Sequence, residues 1–106
     1  LRDIEVAIVV QADGRTAQVT VLDNDATPSG EKPPVSAAEI LVSDHRDGKV
    51  ARVLTDSSGV AGISIPADLE PADLRIRVHA QGFNSRHMLM DSTNLALDLR
   101  QVLYGG

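Results

Sequence analysis

Cysteine is absent from these 106 residues, which removes disulfides, thiolate metal sites and thiol nucleophiles together and leaves stability independent of the redox compartment. Aromatic residues are nearly missing as well, Phe83 and Tyr104 being the only two. Sugar-binding surfaces are usually flat aromatic platforms, and binding sites in general draw on the large, rigid contact area of aromatic rings, so a carbohydrate-binding role is disfavoured. Positive charge is in short supply too. A formal charge of −5 does not suit a phosphate-backbone binder, whose affinity comes from clustered Lys and Arg releasing counterions, nor an anionic membrane surface. No apolar run approaches the roughly 20 residues needed to cross a bilayer, and Leu1 is neither an initiator Met nor the start of a basic, apolar leader. The chain reads as one domain, residues 1–106, cut from a longer protein.

What the sequence does contain is alternation. Ile4, Val6, Ile8 and Val10 alternate with Asp3, Glu5, Ala7 and Val9, and Asp13-Gly14 then supplies the positive φ angles of a tight turn. Ala17, Val19 and Val21 follow as the inward side of a second strand, with Thr16, Gln18 and Thr20 outward. Residues 23–36 change character: three prolines and a glycine forbid both helix and central strand, and the segment reads as a long crossing between sheets. Ala38, Ile40 and Val42 carry the third strand, which turns at Asp47-Gly48 and returns from Val50 to Thr55. On that return, Ala51/Val53 and Val50/Leu54 compete for the core.

The stretch from Thr55 to Pro66, TDSSGVAGISIP, organises the remainder. It ends one strand, turns at Ser58-Gly59 and starts another in which Ala61, Ile63 and Ile65 face in. The segment ADLEPADL has the composition for one helical turn, and Leu74, Ile76, Val78 and Ala80 then alternate with Arg75, Arg77, His79 and Gln81 in the clearest period-two stretch of the chain. A turn at 82–85, a short strand from Arg86 to Asp91 with Met88 and Met90 inward, a turn at 92–94, and Leu95, Leu97 and Leu99 complete the core. Short strands at regular spacing with turn signals between them indicate an all-β, two-sheet antiparallel sandwich of seven to eight strands, Ig-like or transthyretin-like.

Three runs in order, PVSAAEILVSD, TDSSGVAGISIP and LRIRVHAQGF, resemble the carboxypeptidase regulatory-like modules, which share a transthyretin-like (prealbumin-like) sandwich. The matching positions are Pro34, Val35 and Ala38 at the entry to a strand, Thr55, Asp56 and Gly59 in a turn, and Gly82-Phe83 after the next strand. The resemblance covers residues 34–100 and leaves the place of the opening hairpin in the strand order open. It implies an accessory, non-catalytic role, as a spacer or docking domain appended to secreted enzymes, envelope proteins or secretion machinery. An extracytoplasmic setting is likewise what the resemblance implies; nothing in the composition rules out the cytoplasm.

The sandwich enzyme 5-hydroxyisourate hydrolase carries a His before an early Val-Leu-Asp and a C-terminal Tyr-Arg-Gly-Ser; here Thr20 precedes Val21-Leu22-Asp23, and Tyr104-Gly105-Gly106 lacks the Arg and Ser. A shared fold does not carry a site whose residues are absent. Ser57 and Ser58 fit a turn that needs small polar residues better than a nucleophile. The three histidines, His45, His79 and His87, show no metal-ligand spacing. Calcium remains an alternative, as the rigidifier of a structural repeat of a bacterial surface protein. Asp23, Asn24, Asp25 and Glu31 share one loop, and Asp44, Asp47 and Asp56 occupy connections that would have to meet at one end of the sandwich. A Lys–Asn isopeptide crosslink needs an apolar setting, whereas Lys32 and Lys49 sit among polar residues. The last feature is electrostatic: alternation sets Arg75, Arg77 and His79 on one outward face, and the next strand, paired antiparallel, brings Arg86 or His87 beside them. Such a patch suits docking of an acidic protein partner or a neighbouring domain, with addition of a strand at a sheet edge as the other route.

Overall fold

In the computed structural model, residues 2–25, 30–44, 46 and 48–90 are described. They form two antiparallel sheets that make a β-sandwich. β1 (Ile4–Val10), β2 (Thr16–Asp23) and β5 (Val60–Ser64) form one sheet in the order β1-β2-β5. The other holds β3 (Glu39–Ser43), β4 (Lys49–Leu54), β6 (Arg75–His79) and β7 (Arg86–Leu89), in the order β4-β3-β6-β7. The connection over residues 23–36 crosses between sheets, because β2 and β3 lie in different ones. The fourth strand pairs antiparallel with the third, as the sequence reading of a hairpin expects, while the fifth lies beside β2 in the other sheet. A single turn of 3-10 helix at Pro71–Asp73 occupies the acidic connection before β6, where Pro suits the first helical position.

The period-two pattern decides which side chains are inside. Ile4, Val6 and Ile8 of β1, Ala17, Val19 and Val21 of β2, and Ala61, Ile63 and Ile65 of the β5 segment meet Ile40, Val42, Leu74, Ile76, Val78 and Met90 in one buried core. Met88 and Phe83 pack against its margin. On β4 the competition between two faces is resolved by an irregularity: Val42 pairs with Ala51 but Ser43 with Lys49, so Val50 is the extra residue of a bulge. Ala51 and Val53 face in, Val50 is half-buried beside them, and Leu54 is left 52% exposed.

The Thr55–Gly59 turn holds the two sheets together. Thr55 is buried, its hydroxyl donating to the Val35 carbonyl at 2.7 Å and accepting the Ala38 N–H at 2.9 Å. Asp56 accepts the N–H groups of Ser58 and Val60 on a single carboxylate oxygen, at 2.8 and 3.1 Å, an Asx turn in which the side chain mimics backbone. Gly59 has two reasons to be glycine. Its φ is +75°, and a Cβ there would lie 2.5 Å from the Val21 carbonyl oxygen. Val21 in turn donates to Gly59 and accepts from Val35, so β2, the crossing loop and the turn converge on one point. Ala37, between Val35 and Ala38, takes a left-handed φ of +59° to let the chain enter β3.

A second set of bonds straps β1 to the turn between β6 and β7. The Arg2 carbonyl accepts the Asn84 N–H at 2.8 Å, and the Asn84 amide donates to Asp3 at 2.9 Å. Arg2 also lies over the Phe83 ring and pairs with Asp23 at 2.8 Å. The expected strand at 95–99, the turn at 92–94 and Tyr104 lie outside the described residues, as do His45 and Asp47.

Candidate functional site

The outward side of the four-stranded sheet is built by alternation on strands whose other side is core. β6 has the burial order exposed, buried, exposed, buried, exposed, which projects Arg75, Arg77 and His79 from the face opposite Ile76 and Val78. Pairing then sets the neighbours. Glu39, Leu41 and Ser43 of β3 lie opposite His79, Arg77 and Arg75, while His87 and Leu89 of β7 lie opposite Arg77 and Arg75. Beyond β3, Arg52 pairs with Leu41 and Lys49 with Ser43.

This register brings Arg75, Arg77, His79 and His87 onto one face and corrects the expectation for Arg86. Arg86 pairs with Val78 and therefore points to the core side of the sheet, where it meets the rim of the sandwich. Its guanidinium donates to the Ile4 carbonyl at 3.0 Å and helps strap β1 to β7. The shift follows from period two: of two adjacent residues only one can share a face with Arg77, and the register selects His87.

Charge is segregated across the molecule. The outward face just described carries Lys49, Arg52, Arg75 and Arg77 against one carboxylate, Glu39, which Arg52 engages at 2.7 Å. On the three-stranded sheet the only ionisable outward residue is Glu5, paired with Lys32 at 2.8 Å. Among the described residues the negative charge is therefore concentrated in loops and turns, and many of those carboxylates have local tasks. Asp13 accepts the Arg15 N–H, Asp25 the Asp3 N–H, and Asp44 the N–H groups of Arg46 and Gly48.

A cleft of about 450 Å³ opens on the basic face, lined by Ser43, Arg75, Ile76, Arg77, His87, Met88 and Leu89. It joins cationic groups to a partly apolar wall, with Leu89 48% exposed. A second cavity of about 370 Å³ lies between residues 33–37 and 80–83. Its one charged lining residue, Asp23, is already paired with Arg2.

Asp47 apart, which lies outside the described residues, the carboxylates named for calcium do not converge. Asp44 follows β3 and Asp56 follows β4, at opposite ends of the β4 strand, and among the described residues no three His, Cys, Asp or Glu side chains group together. His79 meets Ser85 instead, with Nδ1 3.0 Å from the hydroxyl. Sequence reading missed this pair because it forms across a turn and depends on how the turn closes. Glu39, opposite His79 in register, is held by Arg52. Ser57 and Ser58 are turn residues, and the Ser58 N–H is taken up by Asp56.

Compared with known proteins, the chain matches no family model, no curated protein and no solved structure.

Proposed function

We propose that this domain is a non-catalytic docking module of the carboxypeptidase regulatory-like kind, which meets an acidic protein partner or a neighbouring domain through the outward face of the four-stranded sheet. One observation carries this reading: an acidic domain of charge −5 collects Lys49, Arg52, Arg75 and Arg77 on one sheet face. Complementary charge of this sort contributes orientation and association rate, and it suppresses wrong partners. The family assignment is supported by the roles of its motif residues, since Thr55, Asp56 and Gly59 each have a bond or a backbone conformation that only a few residue types satisfy. The same reading sets the domain in a secreted or cell-envelope protein.

The test is crosslinking capture from the source cells with the wild-type domain and an Arg75→Glu/Arg77→Glu variant. A partner captured by the wild type and lost with the variant is the expected result. Equal capture by both proteins removes the face from consideration, and the β4 edge then becomes the surface to examine.

A further inference from the structure

We infer that the cleft between β6 and β7 is the seat of the contact, and that it takes an extended peptide segment in which a carboxylate side chain stands next to an apolar one. This rests on the docking reading and narrows it to one subsite and one chemical class of partner.

The argument begins with which guanidinium groups already have acceptors. Arg52 is held by Glu39, Arg86 by the Ile4 carbonyl, Arg2 by Asp23 and Arg15 by the Pro66 carbonyl at 2.6 Å. Arg75 has a partner of its own. Arg77 has none among the described residues, although it stands in the middle of the sheet, between Leu41 on one side and His87 on the other. Neither residue directly across from Arg77 is a carboxylate, so an anion placed over its guanidinium forms a favourable pair with it. A guanidinium fork matches a carboxylate in two parallel hydrogen bonds, with the Ser43 hydroxyl on the same cleft wall as a further donor.

The second half of the assignment comes from the apolar wall. Leu89, opposite Arg75 in register, lines the same cleft as Arg77 on the outward side and exposes nearly half of its surface. An apolar residue beside the carboxylate can cover that exposed Leu89 surface, a contact that a bare anion would not use. A volume of about 450 Å³ falls in the range of small-ligand sites, which is about 300 to 1,000 Å³. Single-stranded nucleic acid is the poorer match, because its bases stack on large aromatic rings and no Phe, Tyr or Trp lines this cleft.

The experiment is a titration of the isotope-labelled domain with a synthetic hexapeptide of alternating glutamate and leucine, followed by amide chemical shifts. The expected result is a saturable response centred on Ser43, Arg77, His87 and Met88, with the glutamine-for-glutamate peptide at least about tenfold weaker. Arg77→Gln should weaken the glutamate peptide by about the same factor, while Lys32→Gln leaves it unchanged, and retained dispersion of the amide spectrum establishes that both variants fold. Shifts that are absent at millimolar peptide, that are equal for the glutamine peptide, or that lie at the loop ends overturn the assignment. So does a response to a phosphoserine peptide alone. If cellular partners are lost with Arg75→Glu/Arg77→Glu while the peptide moves nothing, the cleft falls and the docking face stands; if neither experiment responds, both fall.

Discussion

Thr55 shows how much one buried hydroxyl can hold. Replacing it with valine keeps the shape but leaves the Val35 carbonyl and the Ala38 N–H unpaired beside the core, and each unmade buried bond costs about 1–3 kcal/mol. Thr55→Val should therefore lower the unfolding free energy in urea by about 2–4 kcal/mol, and Thr55→Ser by much less; equal losses would mean that packing of the methyl group matters and the hydroxyl does not. Gly59 and Gly62 make a matched pair. Gly59→Ala forces a Cβ toward a carbonyl at a left-handed φ and should cost more than about 2 kcal/mol. A Cβ at Gly62 meets nothing within 4 Å, so Gly62→Ala should be neutral or slightly stabilising. Melting curves of the two variants check the contrast. The sequence made this turn legible, since TDSSG carries local turn chemistry. It did not make legible that the turn reaches Val21 and Val35, because those contacts depend on how distant strands pack.

At the scale of elements, the inward residues of β1, β2, β3, β5 and β6 were readable because each strand alternates apolar with polar side chains. β4 was not, because a bulge changes the phase in mid-strand and lets Val50 and Ala51 both approach the core. The same limit applies to β7. Sequence alternation alone could not choose between Arg86 and His87 for the basic face, since the choice depends on the register of a pairing made across a turn. The outcome separates two arginines by task. Arg86→Ala removes a bond from the strap between β1 and β7 and should destabilise the domain by about 1–2 kcal/mol, whereas Arg77→Ala, exposed on the outward face, should stay within about 0.5 kcal/mol of wild type. Thermal unfolding of the two variants decides this, and a larger loss for Arg77 would make the basic face structural.

For the whole molecule, the distribution of charge matters more than its total. Net charge is a property of composition, but its separation into a basic sheet face, a nearly neutral sheet face and acidic loops emerges only when the strands are paired, and that is why the sequence reading reached Arg75, Arg77 and His79 without Lys49 and Arg52. The account is tested most directly by crosslinking capture from the source cells with three proteins: the wild type, Arg75→Glu/Arg77→Glu, and Lys32→Glu/Arg46→Glu. The two variants have the same net charge and differ only in where the change is made. A partner retained by the wild type and by Lys32→Glu/Arg46→Glu, and lost with Arg75→Glu/Arg77→Glu, is the predicted result. Loss with both variants would assign the interaction to overall charge, and retention by both would contradict docking through this face.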